Sequence, residues 1–360
     1  MTATQSKPNL PRLALVSVFR ETIIGGVAVH SSNLYERLVG EGYDVAKVDY
    51  ATIGQQASVF NKLSTVLSIG GRLLKLRFGG TRLFHFHASN QALIFYLFGP
   101  LLALLGARVI LSIHSGYGFN NWLDEHPWYD RLNRLALRTL DQIVFMNPQE
   151  SERTAQRYTF LKGRISTVNP FIAPANEIVR SLPQRQVDPN VFRIVTIGAW
   201  GSRYNVEEAV EAAARLAEEV PVRVSITVVQ STSTFEPAYK DQVLGRFDEL
   251  SDRLIIKVIE DTDAILPLLA THDVFVRPSK GDSYGLCVAE ALLVGTPAIA
   301  TDVCQRCSTA LLYRQGDSNR LDSLLQSVYD ERELAGEQRS LLSPKEDSFQ
   351  GYLRVYEQLV

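Results

Sequence analysis

Short apolar runs alternate along the chain with longer stretches in which apolar residues recur every three or four positions, the rhythm of strands exchanging with amphipathic helices. Arg12 to Phe19 predicts a first strand, and Val27 to Glu41 a helix that Gly42 closes at its C-terminal end. Strand-like Val45 to Tyr50 follows, then Leu83 to His87, where alternation sets both histidines on one face and both phenylalanines on the other. Ala107 to His114 is a further apolar strand. Helix Trp128 to Leu140, strand Gln142 to Met146, helix Gln149 to Tyr158 and strand Ile165 to Val168 complete a first half. From Ala173 to Asn190 the chain is polar, with Pro174, Pro183 and Pro189 and no clear period, and reads as a linker. The alternation then restarts with strand Phe192 to Ile197, a Gly198 to Asn205 loop, helix Val206 to Glu219 and strand Val222 to Val229. A last amphipathic helix spans Asp347 to Val360.

The repeated pattern predicts two doubly wound, mostly parallel α/β domains, and a chain of 360 residues exceeds one comfortable core. The expected division is 1–174, a linker at 175–190, and 191–345. A net charge of −2 gives no global attraction to nucleic acid. Three cysteines cannot build a disulfide framework, and Met1 to Pro11 is polar without a signal-type apolar core, which points to a reducing cytoplasm. The most apolar run, Ala92 to Ala107, is too short to span a membrane and contains Gly99 and Pro100, which suits a core helix or a broken helix pair. Asn61 to Arg82 mixes leucines with Lys62, Arg72, Lys75, Arg77 and Arg82 and holds no acid, a pattern compatible with peripheral contact with a membrane or with a solvated helix face.

The densest chemistry lies between Phe275 and Asp302. A strand from Asp273 to Arg277 enters a Pro-Ser-Lys-Gly-Asp-Ser loop, a helix follows, and a second strand spans Pro297 to Thr301. Gly285 opens that helix, so backbone N–H groups at the positive end of a helix dipole face the loop, the geometry of an anion site. From Leu286 to Val294 every residue except Glu290 is apolar or Ala, so a carboxylate is set in a buried helix and requires a partner.

Asp282 and Glu290 are separated by seven residues, and the frame Pro-Ser, Asp, Tyr-Gly, Glu-Ala-Leu, Gly-Thr-Pro-Ala-Ile-Ala resembles the acidic-x7-Glu motif of family 4 retaining glycosyltransferases of the GT-B fold. The resemblance implies two Rossmann-like domains facing across a cleft, with the C-terminal helix 346–360 packing back on the first. It implies transfer of a sugar, with retention, from a nucleotide diphosphate sugar, a UDP-sugar favoured, to a hydroxyl of a glycan, lipid-linked or small-molecule acceptor. No cofactor and no metal are expected. By the same resemblance Asp282 lies by the donor sugar, Lys280, Ser283, Tyr284, Gly285 and Leu286 form the diphosphate loop, and Glu290 takes the ribose hydroxyls. Gly25 and Gly26, after the first strand, and Gly198, after the first strand of the second half, are the corresponding Gly-rich approaches to the donor. His114 is expected at the donor sugar and His87 near the acceptor.

One departure is plain. The family places an Arg and a Lys in the loop after Gly198 to neutralise the departing diphosphate, and this chain has Ala199 and Tyr204 there. Arg203 is the nearest replacement, with Arg277 and Lys280 as others. Asp261-Thr262-Asp263 looks like a metal-binding Asp-x-Asp but precedes a helix from Ala264 to Ala270, where capping accounts for it. Cys304 and Cys307 read as two reduced thiols near a turn. His85 and His87 lack an evident third metal ligand, and His30 reads as structural. A nucleotide-sugar-binding protein without turnover and a nucleotide-sugar epimerase are the alternatives.

Overall fold

The computed structural model describes residues 10–23, 25–51, 53, 58–89, 93–115, 118–174, 176–183, 185–332 and 347–360. Gly116, Ala92, residues 175 and 184 of the expected linker and the boundary near 345 lie outside them. The chain divides into two compact units, one made of Met1–Ile172 with Asp347–Val360 and the other of Ala173–Glu346.

The first unit is built on six strands, β1 (Leu13–Ser17), β2 (Val45–Asp49), β3 (Leu83–Ala88), β4 (Arg108–Ile113), β5 (Gln142–Phe145) and β6 (Ile165–Thr167). Their order is β2-β1-β3-β4-β5-β6, and every pairing is parallel. Because β1 pairs with β2 on one side and β3 on the other, the winding reverses there, and a crevice opens beyond the carboxyl ends of β1 and β3. Alternation along β1 feeds two cores: Ala14 and Val16 join one apolar cluster, Leu13 and Leu15 another. The second cluster takes in the C-terminal helix Phe349–Glu357, whose Phe349, Tyr352, Leu353, Val355 and Tyr356 are buried against it. Burial of side chains this size contributes about 1.5–3 kcal/mol each, which fixes the last helix on this unit.

Helix α1 (Gly26–Gly40) follows β1 and begins at Gly26, with Gly25 as its first flanking residue. The basic, acid-free stretch forms helix α2 (Val59–Phe78), capped by the Ser58 side chain, which accepts from the Asn61 N–H at 3.1 Å. The most apolar run forms one helix, α3 (Leu93–Leu104), which keeps Pro100 inside it rather than breaking in two. α3 is not all core. Leu93, Leu97, Leu101 and Leu104, spaced along one face, are exposed, and so are Val59, Phe60, Leu63 and Leu67 of α2.

The second unit repeats the plan with β7 (Val191–Trp200), β8 (Arg223–Phe235), β9 (Ile255–Glu260), β10 (Val274–Arg277), β11 (Ala298–Thr301) and β12 (Leu311–Tyr313), in the order β12-β11-β10-β7-β8-β9. Its winding reverses between β7 and β10. The strand expected to end at Ile197 continues to Trp200: Gly198 and Ala199 pair with Gln230 and Ser231 of an equally extended β8, so the expected loop is half strand. Helix α4 (Val206–Glu219) follows β7, and α5 (Leu286–Leu293) lies between β10 and β11. Asp261 does not cap the next helix. Its carboxylate accepts from the Thr232 N–H at 2.8 Å and hydroxyl at 2.6 Å, and Thr262 Oγ1 accepts from the Ala264 N–H at 3.1 Å. Extension of β8 brings Thr232 within reach of Asp261, and the helix that follows, Ile265–Thr271, has no side-chain cap. No helix among the described residues is long and apolar enough to cross a membrane.

Candidate functional site

In the second unit the reversal point sets the end of β7 beside the loop that leaves β10, and both carry residues singled out in the sequence. Tyr204 packs on Gly198: a Cβ there would lie 3.0 Å from Tyr204 Cβ, so only glycine admits the ring without a shift. Asn205 turns the chain in the left-handed region, and its amide donates to the Pro278 carbonyl at 3.3 Å and to Glu208. The Lys280 N–H donates to the Arg203 carbonyl at 2.8 Å, and Thr301 Oγ1 donates to the Ser279 carbonyl at 2.7 Å. The loop is thereby tied to the turn after β7 on one side and to β11 on the other.

Asp282 is the loop's electrostatic centre. Its Oδ2 accepts from Arg277 Nε at 3.1 Å and from Arg306 Nη1 at 2.9 Å, and its Oδ1 accepts from the Ser283 N–H at 3.0 Å. Burial alone would raise its pKa, but the two guanidinium groups outweigh that and hold the carboxyl well below the usual carboxylate range. Arg306 is fully buried and also donates to the carbonyls of Thr301 and Tyr284. Gly285 has φ +77°, and a Cβ on it would meet Arg306 Nη1 at 2.1 Å, so conformation and space both require glycine at the start of α5.

The sequence singled out Arg277 but not Arg306. Arg306 sits in the Cys304 to Cys307 turn, and no local pattern marks it; only the packing of that turn against the loop brings its guanidinium to Asp282. The thiols there are not joined in a disulfide, and the Tyr284 hydroxyl lies 3.3 Å from Cys307 Sγ, so the Tyr284 side chain faces the core. Leu286 and Cys287, as the first residues of α5, have no intrahelical acceptor for their N–H groups. Glu290, one turn further, is buried at 8% exposure and hydrogen-bonds the Cys287 thiol, whose pKa is raised first by burial and then by the Glu290 charge. Arg203 is half-buried, with its stem close to Gly281 and its guanidinium 5.4 Å from the Tyr204 ring centre; Lys280 is exposed. Anion-binding N–H groups, three arginines, one lysine and a buried carboxylate are thus gathered at the carboxyl end of one parallel sheet, an arrangement suited to a diphosphate with an attached diol.

The first unit gathers histidines. His87 in β3, His114 just beyond β4 and His30 on α1 converge, with ring centres 5.3 Å apart for His30 and His87 and 4.7 Å for His30 and His114. His87 Nδ1 lies 3.0 Å from His114 Nε2, and His30 Nδ1 donates to the Pro170 carbonyl at 2.6 Å. His85 is satisfied separately by Tyr356 Oη at 2.9 Å and Ser112 Oγ at 2.7 Å. Burial pushes His30 down to about 4, against the pull of its carbonyl bond, and burial first and then neighbouring imidazoles hold His85, His87 and His114 well below the ordinary histidine value. All four rings are therefore neutral at pH 7. His30, read from sequence as merely structural, belongs to this group. Beside His87 lies an apolar cavity of about 290 Å³ bounded by Val18, Tyr50, Phe86, Ile94 and Phe95. Gly25 borders open space, with nothing within 4 Å of a built Cβ, and Gly26 begins α1.

Residues 191–343 match the family model described as Glycosyl transferases group 1. No curated protein matches the chain. Among solved structures, sucrose-phosphate synthase from Thermosynechococcus elongatus has 17% identity and a TM-score of 0.68 over 97% of this chain and 98% of that one. Anabaena HepE in complex with UDP-glucose has 13% identity and a TM-score of 0.68 over 97% and 99%. An α,α-trehalose-phosphate synthase (UDP-forming) from Burkholderia xenovorans, in complex with glucose-6-phosphate, has 14% identity and a TM-score of 0.69 over 96% and 100%. The fold is GT-B, and residues 191–343, most of the second unit, are the part of the chain that matches the group 1 glycosyltransferase model.

Proposed function

We propose that the protein is a retaining glycosyltransferase that moves a hexosyl group from a UDP-sugar to a hydroxyl of a glycan or lipid-linked acceptor, without a divalent cation in the transfer step. The observation that carries this reading is the loop from Pro278 to Gly285, pinned to the turn after β7 and to β11 and opening onto the N-terminus of α5 within the segment that matches the group 1 model. In this reading the diphosphate lies on the N–H groups of Gly285, Leu286 and Cys287, with Ser283 and Lys280 at the rim, and Glu290 accepts from the ribose hydroxyls. Asp282 then acts through the two arginines it orients, and its nearness to the sugar follows from the loop's position. Arg203 meets charge on the leaving diphosphate, since Ala199 is buried within β7 and Tyr204 covers Gly198.

On the first unit, His114 serves the donor sugar and His87, beside the apolar cavity, the acceptor side. A cytoplasmic protein that touches the inner face of a membrane through α2 fits the exposed Val59, Phe60, Leu63 and Leu67 beside Lys62, Arg72 and Lys75. The same surface favours a lipid-linked acceptor and a place in polysaccharide or glycoconjugate synthesis. A second reading, nucleotide-sugar binding without turnover, is favoured by one observation, the absence of cations at positions 199 and 204.

The test is incubation with a panel of nucleotide sugars, with and without lipid-linked and free glycan acceptors, in EDTA, followed by mass spectrometry. Acceptor-dependent release of a nucleoside diphosphate in EDTA is the expected result. Sugar binding without release would establish the second reading, an epimer would replace both, and transfer that needs added Mn²⁺ or Mg²⁺ would refute the metal-free step.

A further inference from the structure

We propose that His30, His87 and His114 form a binding site for one divalent transition-metal ion of the zinc class. One ligand nitrogen from each ring lies within 4.8 Å of the others. Hydrogen-bond accounting points to an ion. His30 Nδ1 faces the Pro170 carbonyl, which can only accept, so the proton is on Nδ1 and the lone pair of His30 is on Nε2. That Nε2 is buried without a partner, in a side chain only 1% exposed. A buried nitrogen left unpaired costs about 1–3 kcal/mol, and an ion shared with His87 Nδ1 and His114 Nε2, 3.0 Å apart, would take up its lone pair.

The carbonyl bond to His30 is the outer-shell contact that metal-ligating histidines commonly make, fixing the ring and its tautomer. The donor set selects the ion. Three imidazoles without a carboxylate or thiolate suit zinc, cobalt, nickel or copper and are poor for magnesium or calcium. Bonds of about 2.0–2.1 Å to zinc require ligand nitrogens roughly 3.4 Å apart, so the His87–His114 pair at 3.0 Å opens slightly while the longer edge contracts. His114, the one partly exposed ring of the three, gives the ion its way in. Three protein ligands leave a fourth position for water. Occupancy would also withdraw the His114 lone pair from the donor sugar; that consequence alone rests on the function proposed above, and metal binding does not.

The experiment uses the full chain, free of any affinity tag, stripped with a chelating resin. Cobalt(II) is titrated while visible absorption is recorded, and Zn²⁺ binding is measured by calorimetry. One ion per chain is expected, with the intense visible bands of tetrahedral cobalt, and at least about tenfold weaker binding in His114→Gln and in His30→Gln. His85→Asn, outside the ligand set, should bind as the wild type does. His114→Gln changes a partly exposed side chain and decides the matter if the buried variants fail to fold. No binding at about 100 µM Zn²⁺, or binding that His114→Gln leaves unchanged, would overturn the site. UDP binding, read separately by calorimetry on the same samples, reports on the proposed function, so failure of that reading and failure of the metal site give different results.

Discussion

Replacing Asp282 with Asn should destabilise the second unit rather than merely slow a reaction. The carboxylate is 11% exposed, and it is shared by Arg277, 10% exposed, and Arg306, fully buried. Removing its charge leaves two buried guanidinium groups facing one neutral amide, and breaking a buried ion pair from one side costs about 3–5 kcal/mol. Arg306→Met removes one cation and leaves Asp282 paired with Arg277, so the loss should be smaller, about 1.5–3 kcal/mol, the range for hydrogen bonds to charged groups. The double variant should lose less than the sum, by at least about 1 kcal/mol, because the second change relieves the charge stranded by the first. The assay is urea unfolding followed by Trp200 fluorescence in a chain carrying Trp122→Phe and Trp128→Phe, so that the signal comes from the second unit. If Asp282→Asn stays within about 0.5 kcal/mol of its parent, the carboxylate does not organise the loop and its role reverts to direct contact with substrate.

Glu290→Ala should weaken UDP binding by about 10 to 150-fold, the worth of roughly 1.5–3 kcal/mol from two hydroxyl contacts, and Glu290→Gln by an intermediate amount; unchanged affinity in calorimetry for both would remove Glu290 from the nucleotide site. Arg203→Ala should lower kcat by roughly 100-fold or more, and an unchanged rate would transfer the charge-neutralising role to Lys280. The protein should bind anionic vesicles more tightly than neutral ones in flotation assays, and Lys62→Glu with Lys75→Glu should cut that preference at least about tenfold; equal partition into both vesicle types would leave α2 without a membrane role. His272 has its pKa lowered by burial, against its bond to the Leu268 carbonyl, so below about 6.5 the unfolded chain takes up a proton that the folded chain resists, and stability falls with decreasing pH. His272→Gln should make the loss between pH 7 and 5 shallower in thermal melts, and an identical slope would show that the ring does not titrate against folding.

The alternation of apolar strands with amphipathic helices was enough to specify two doubly wound sheets, because each period reflects which neighbours within a few residues must share a buried face. The same locality made the stretch from Phe275 to Asp302 legible: strand, glycine-rich loop, helix start and buried carboxylate follow one another along the chain. Strand ends were less legible. β7 runs through Gly198 to Trp200 because β8 offers a partner along that length, and nothing in β7 itself records this. The contacts that define both sites were beyond reach for the same reason. Arg306 meets Asp282 from 24 positions away, and His87 meets His114 across 27, each because the order of parallel strands brings separate carboxyl ends together. His30 looked like an ordinary helix residue until winding of the first sheet set α1 beside β3 and β4. Local sequence dictated which groups exist and which element carries each; the crossovers between parallel strands decided which of them meet, since those pairings depend on the whole sheet being closed before any one contact can form.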